Sequence, residues 1–237
     1  MTLSDLSDER GTTLAELLVG MLMGCVVLIA LTSMIIVTLH GNARVDARVE
    51  ATDNARVGIA RIVEELHSAC ISPQVAPVQG KGTLSAVGST ANTLIFWHAS
   101  AGQGTAVQPT PVKTTISYGS GSLTQTDYAQ TGGTSPKWTF SATGTEQTLL
   151  ANVSPPSGSS GIFTYYKYEN GSLVRLTATE LSEAEAATVL MVKVALAASP
   201  KSSPVVDAGS TATVSDSATL RLTPPSYNEK AMALPCQ

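Results

Sequence analysis

A single carboxylate near the start of an otherwise apolar run is the residue whose chemistry is easiest to define. Glu16 is the one charged residue between Gly11 and Leu39, and residues 17–39 contain no Asp, Glu, Lys, Arg or His. A charged side chain costs about 2.5–3.5 kcal/mol at the centre of a bilayer and less near the surface. Glu16 is therefore expected either to pair with a cation or to reach the polar headgroup region.

Other residues that commonly carry chemistry are scattered. The sequence contains no nucleophile elbow, no phosphate-binding glycine loop, no H-E-x-x-H and no C-x-x-C motif. His40, His67 and His98 lie far apart along the chain and predict no metal site. We therefore expect a protein that is not an enzyme and has no cofactor or metal.

The three cysteines divide between two settings. Cys25 lies inside the apolar run and is interpreted as a small apolar residue. Cys70 and Cys236 lie beyond that run, where an oxidising compartment would favour a disulfide between them. Two unpaired thiols are the alternative. The bridge would tie the C-terminal tail to the end of the N-terminal helix.

A long N-terminal helix must position Glu16. Residues 17–39 would form a helix of about 35 Å, enough to cross the roughly 30 Å hydrocarbon core of a bilayer. After an expected kink at Gly41 and Asn42, an amphipathic continuation is predicted up to Pro73. Its apolar stripe is predicted at spacings of three, four and seven residues: Val45, Val49, Thr52, Ile59, Val63 and Leu66.

The remainder of the chain predicts β-structure. Asn170-Gly171 between two β-rich runs indicates a tight hairpin, and residues 181–186 a short helix. Residues 199–215 are predicted to form a long exposed loop. Aromatic and β-branched residues predict strands at 93–97, 113–118, 138–140, 162–168, 173–176, 189–196 and 218–222.

The composition agrees with a β-rich extracellular domain with long loops. Charged residues make up 14% of the chain, against about 25% in a typical soluble protein. The net charge is −4 and no basic run follows the helix. We therefore expect no direct nucleic-acid partner.

Residues 10–19, RGTTLAELLV, resemble the class III signal of type IV prepilins and type II secretion pseudopilins. The resemblance covers about 30 residues and implies a leader, residues 1–11, that prepilin peptidase removes by cutting between Gly11 and Thr12. It also implies N-methylation of Thr12, although this position is most often Phe in the family. Glu16 then takes the fifth mature position, where the family's Glu neutralises the N-terminal amine of a neighbouring subunit during assembly. An ordinary single-span anchor remains an alternative interpretation of the apolar run.

The predicted hairpin, short helix and two closing strands are similar to minor pilins of the PilW class and to J-type pseudopilins. The implied fold is α+β and pilin-like, with a long N-terminal helix packed on an antiparallel β-sheet domain. Its predicted parts are a leader (1–11), a transmembrane and filament-core helix (12–40), an amphipathic continuation (41–72) and an exported β-rich domain (73–237).

The resemblance implies a non-catalytic subunit of a type IV pilus or related filament that serves adhesion, motility, DNA uptake or protein secretion. Expected partners are prepilin peptidase, other pilin subunits through the N-terminal helix, the cytoplasmic membrane and the pilus assembly platform.

The arginines after the apolar run, Arg44 onward, would favour a cytoplasmic domain by the positive-inside rule. Long domains translocate largely regardless of charge, so we expect the leader inside and the domain outside, with later placement in a surface pilus or a periplasmic pseudopilus. The alternative function is a membrane-anchored extracellular binding protein or adhesin that does not polymerise.

Overall fold

The computed structural model describes residues 13–70, 75–99, 110–134, 136–201 and 211–220. Gly11, Thr12 and Cys236 lie outside these residues, so cleavage, methylation and the predicted disulfide pairing stay predictions. The elements in chain order are α1 (Leu14–His67), β1 (Thr93–Ala99), β2 (Pro111–Gly119), β3 (Ser122–Thr134), β4 (Lys137–Phe140), β5 (Thr145–Ala151), β6 (Val153–Ser154), β7 (Phe163–Glu169), β8 (Ser172–Arg175), α2 (Glu183–Ala186), β9 (Val189–Ala198) and β10 (Ala212–Thr219).

The helix α1 is continuous over 54 residues. It passes through Gly41 and Asn42 without interruption, so the two predicted halves form one helix. It ends at His67, where the N–H of the C-cap Ser68 donates to the carbonyl of Glu65 at 3.1 Å. The helix therefore stops before the predicted boundary at residue 72.

The two parts of α1 have opposite surroundings. The apolar N-terminal part is exposed on every side, and its most apolar 18-residue window has a mean hydropathy of 2.6. The C-terminal part buries one face, whose residues are Ala55, Gly58, Ile59, Ile62 and Leu66.

The predicted apolar stripe is only partly correct. Ile59 and Leu66 are buried and Val63 is half-buried, but Val45 and Val49 are exposed. The buried face is extended towards the N-terminus by Ala51, which packs against the core. Ala51 and Ala55 lie one turn apart at the N-terminal end of this buried stripe, where a sheet can approach small side chains closely.

The first sheet has the order β1-β2-β3-β4, with β5 pairing the first half of β3, and all its pairs are antiparallel. The predicted strands at 93–97, 113–118 and 138–140 are present. β3 and β5 were not predicted, since their Thr, Gln and Gly residues have weak local strand signals. A turn with positive φ at Ser120 and Gly121 connects β2 to β3.

The second sheet has the order β10-β9-β7-β8, with β6 pairing the end of β9. The predicted hairpin is present, and both turn residues have positive φ, 50° at Asn170 and 83° at Gly171. β10 begins at Ala212, inside the segment predicted to be a loop, and pairs antiparallel with β9.

One core joins α1 to both sheets. Ile59 and Ile62 of α1 belong to the same buried cluster as Phe96 of the first sheet and Val192 and Val194 of the second. Burying a side chain of this size contributes about 1.5–3 kcal/mol. The layout is therefore α+β, with the end of one long helix covered by two antiparallel sheets.

Candidate functional site

The first turn of α1 already provides a partner for Glu16. The Oε2 atom of Glu16 accepts from the backbone N–H of Thr13 at 3.0 Å and from its hydroxyl at 3.2 Å. The N–H of Glu16 lies 3.4 Å from the hydroxyl oxygen of Thr13. The two residues form a capping box, in which each satisfies a backbone group that the helix end leaves open.

This partner was missed at the sequence level, although the Thr-x-x-Glu pattern is visible at Thr13 and Glu16. The carboxylate can thus be hydrogen-bonded within a single chain. It also lies at the N-terminus of a helix, where the helix dipole favours a negative charge. A pairing with an external cation must therefore compete with this local arrangement.

The apolar part of α1 also satisfies its own polar side chains. The hydroxyls of Thr32, Ser33 and Thr38 donate to backbone carbonyls four residues earlier, at 2.8, 2.8 and 2.9 Å. Such bonds leave no side-chain hydroxyl that needs water. The helix is long and apolar enough to span a membrane, and none of its apolar window is buried in the protein.

The cysteines occupy different environments. Cys25 is a free, exposed cysteine in the apolar part of α1. Cys70 is 1% exposed, is disulfide-bonded and packs with Val75, Trp97 and Trp138. Cys236, its predicted partner, lies outside the described residues.

A polar network joins the buried end of α1 to the first sheet. Arg61 donates to Glu65 at 3.1 Å, and the side-chain amide of Gln125 donates to Glu65 and Asp127, with shortest distances of 3.1 and 3.0 Å. Asp127 also accepts the hydroxyl of Thr114 at 2.7 Å. His98 extends the network, because its Nε2 atom lies 3.1 Å from the same hydroxyl oxygen.

This network has the composition of a catalytic triad but a different geometry. The Thr114 hydroxyl donates its hydrogen bond to Asp127 rather than to the imidazole, and Thr114 is 0% exposed. A nucleophile needs a neighbouring base and access to substrate. In this network the Gln125–Glu65 bond joins α1 to the sheet, whereas the His98–Thr114 and Thr114–Asp127 contacts lie within the sheet.

Three exposed or half-buried carboxylates hold the backbone around α2. Hydrogen bonds from the N–H groups of Gly88, Thr83 and Ser182 lower the pKa of Glu180, Glu183 and Glu185, respectively. Hydrogen bonding to the charged form of a carboxyl has this effect because it stabilises the anion. These carboxylates act as loop anchors.

Burial shifts the pKa of two further groups, Lys113 and Tyr165. Desolvation lowers the pKa of Lys113, whose Nζ atom lies 5.4 Å from the centre of the Tyr128 ring. Desolvation also raises the pKa of the Tyr165 phenol, which donates to the carbonyls of Thr90 and Thr93. Both effects follow from the cost of holding a charge away from water.

The histidines do not converge. His40 and His67 are exposed on α1, and His98 lies on β1. Within the described ranges, no group of three or more His, Cys, Asp or Glu side chains is arranged to hold a metal ion.

Comparison with known proteins found no matching family model, curated protein or solved structure.

Proposed function

We propose that this chain is a non-catalytic filament subunit, a minor pilin or pseudopilin, held in the cytoplasmic membrane by α1 before assembly. The division of α1 carries the proposal, since its N-terminal part exposes apolar side chains on all sides whereas its other end is buried in a β-rich domain. So large an apolar surface needs lipid or other apolar helices around it. A filament subunit has lipid before assembly and neighbouring helices afterwards.

Processing would give Glu16 a partner stronger than a neutral donor. Cleavage by prepilin peptidase between Gly11 and Thr12 would create an ammonium group, N-methylated in the mature subunit. A carboxylate paired with an ammonium in low dielectric is favoured over two separated charges. A neighbouring subunit's ammonium could thus displace the Thr13 donors from Glu16 and set the register between helices.

The proposed partners follow from this sequence of events. They are prepilin peptidase, the assembly platform and other pilin subunits that contact α1. The leader would remain on the cytoplasmic side and the β-rich domain outside, and the filament would serve adhesion, motility, DNA uptake or protein secretion.

The capping box favours a second candidate, a membrane-anchored extracellular binding protein or adhesin that does not polymerise. Because Thr13 satisfies Glu16 inside one chain, the carboxylate needs no neighbouring subunit. The two candidates differ in what happens when Glu16 is removed.

The first test is the mass of the N-terminal peptide isolated from membranes or sheared filaments. A peptide that starts at Thr12 and carries one added methyl group supports the filament subunit. A chain that still starts at Met1, or that is cut after the apolar run, contradicts it.

The second test compares Glu16→Ala with Glu64→Ala, which removes an exposed carboxylate near the other end of the same helix. We expect both variants to insert into the membrane and only Glu16→Ala to lose incorporation into filaments, by at least about tenfold. Equal incorporation of both variants would favour a different role for Glu16, and the absence of any filament would favour the anchored binding protein.

A further inference from the structure

A groove with a volume of about 480 Å³ lies beside β7. Three stretches of the chain line it: residues 90–92 before β1, Ser160 with residues 163–165, and residues 175–179 from the end of β8 onward. We call this feature the β7 groove. Its volume lies within the range of about 300–1,000 Å³ that is typical of sites for small molecules.

Hydrogen bonds tie the walls of the β7 groove to β7 itself. The N–H of Phe163 donates to the carbonyl of Ala91 at 2.8 Å. The N–H of Leu176 donates to the carbonyl of Tyr165 at 2.9 Å. The Tyr165 phenol in turn donates to the carbonyl of Thr90 at 2.9 Å. The walls are therefore in place before any ligand arrives, which lowers the ordering cost of binding.

Arg175 gives the β7 groove a positive charge without a counter-charge. Among the described residues that line the groove, none is Asp or Glu. The nearest carboxylate in sequence, Glu180, accepts from Lys81 and Gly88 instead. Arg175 is exposed and has no ion-pair partner within the described part of the chain. Because a guanidinium presents its donors in a fork that matches a carboxylate, the groove favours a ligand with an anionic group.

The walls also carry an unusual number of hydroxyl groups. The Oγ1 atom of Thr90 accepts from the N–H groups of Asn92 at 3.2 Å and Thr93 at 3.0 Å, which leaves its own proton for an acceptor in the groove. The Oδ1 atom of Asn92 is buried and has no hydrogen-bond partner in the described chain. This amide gives up no Oδ1 bond when it turns towards a ligand hydroxyl. The hydroxyl-bearing residues of the lining, apart from Tyr165, are Thr90, Ser160, Thr164, Thr177 and Thr179.

We propose that the β7 groove binds an acidic sugar, with the sugar carboxylate on Arg175 and the ring hydroxyls on the Thr, Ser and Asn92 side chains. Phe163 and Leu176 also line the groove and offer apolar surface to the C–H faces of the ring. A peptide carboxylate would pair with Arg175 but leave most of the hydroxyl groups unmatched. The inference goes beyond the proposed filament function and does not depend on it, since it concerns the β-rich domain of a single chain.

The test is a saturation-transfer NMR titration of the full chain, purified in detergent. The probes are glucuronate, galacturonate and N-acetylneuraminate, with glucose and acetate as controls that lack the carboxylate and the hydroxyls, respectively. We expect at least one acidic sugar to bind saturably, with a dissociation constant at least about tenfold below those of glucose and acetate, because only it uses both kinds of contact.

Variants assign the binding to the β7 groove. Arg175→Gln should raise the dissociation constant of the bound sugar at least about tenfold, because a charge-assisted pair is lost. The matched control is Arg56→Gln on the exposed side of α1, which should change it by less than about twofold. Thr177→Val should weaken the sugar several-fold and leave acetate binding unchanged. Arg175 and Thr177 are exposed, so thermal unfolding should be unaffected by either substitution.

Three outcomes would overturn the proposal. The first is that none of the three acidic sugars binds saturably. The second is that Arg175→Gln binds the sugar as tightly as the wild type does. The third is that the dipeptide acetyl-Ala-Ala, which ends in a free carboxylate, binds more tightly than every sugar, because that would assign Arg175 to a peptide C-terminus.

Discussion

Gln125 of β3 donates its side-chain amide to Glu65 of α1, with an Nε2–Oε2 distance of 3.1 Å. The same amide donates to Asp127 on its own strand, and Gln125 is 1% exposed. One buried amide thus connects a carboxylate of the helix to a carboxylate of the sheet. It adds a directional contact where the rest of the helix–sheet interface is mainly apolar.

Replacing this amide should loosen α1 from the first sheet. In Gln125→Leu, two carboxylates lose a shared buried donor, and bonds to charged groups contribute about 1.5–3 kcal/mol each before compensation. We expect the free energy of unfolding to fall by about 1–3 kcal/mol, measured by denaturant unfolding of the full chain in detergent. The control is Gln147→Leu at the half-buried position directly opposite on β5, which should change it by less than about 0.5 kcal/mol.

The buried face of α1 predicts that replacement by alanine lowers stability far more at Ile62 than at Val57. Ile62 is 0% exposed and Val57 is 71% exposed on the same helix. Ile62→Ala should destabilise the domain by about 2–5 kcal/mol, because it removes buried methyl groups and leaves a cavity. Val57→Ala should change stability by no more than about 0.5 kcal/mol. Equal effects on the unfolding midpoint would contradict the orientation of the helix.

Two alanine substitutions, at Gly171 in the β7–β8 turn and at Gly119, separate the cost of backbone strain from that of steric contact. Gly171 has φ of 83°, and an added Cβ would meet no atom within 4 Å. Gly171→Ala should therefore cost about 1–2 kcal/mol through left-handed strain alone. Gly119 has equal space but no positive φ, so Gly119→Ala should be neutral or stabilising by up to about 1 kcal/mol. Thermal unfolding of both variants would test this difference.

Glu183 predicts an acid-sensitive anchor for the loop around Thr83. The Thr83 N–H donates to Glu183 at 2.8 Å, which lowers the pKa of this carboxyl below its ordinary value of 4.5. A carboxyl with a lowered folded-state pKa contributes stability above its unfolded pKa, and this stability is lost as pH falls through the folded value.

The corresponding experiment follows unfolding from pH 7 to pH 3. Glu183→Gln should be less stable than the wild type at pH 7, and the difference should shrink below pH 4.5, the ordinary value of the carboxyl. Thr83→Val removes the hydroxyl donor but keeps the backbone N–H, so it should retain part of the pH dependence. A constant difference between Glu183→Gln and wild type across this range would contradict the role of the charge.

Local sequence signals predicted the elements whose residues carry strong backbone preferences. Asn170-Gly171 predicted its hairpin because both residues tolerate positive φ, and β-branched runs predicted β1, β2 and β9. The signal for β3 was weaker, since its Gln, Thr and Gly residues become a strand through pairing on both edges. The Thr-x-x-Glu spacing at Thr13 and Glu16 is enough to predict a capping box. The structure shows that Thr13 is the hydrogen-bond donor to the Glu16 carboxylate.

The sequence by itself determined that this chain has one long apolar helix with a single carboxylate near its start, followed by a β-rich region. Composition and periodicity suffice for that, because they act between residues close along the chain. Only the tertiary structure decided which stripe of α1 is buried, that Gln125 donates to Glu65, and that Cys70 packs against Trp97 and Trp138. These features join residues far apart in sequence, and their positions depend on how closely the sheets approach the helix.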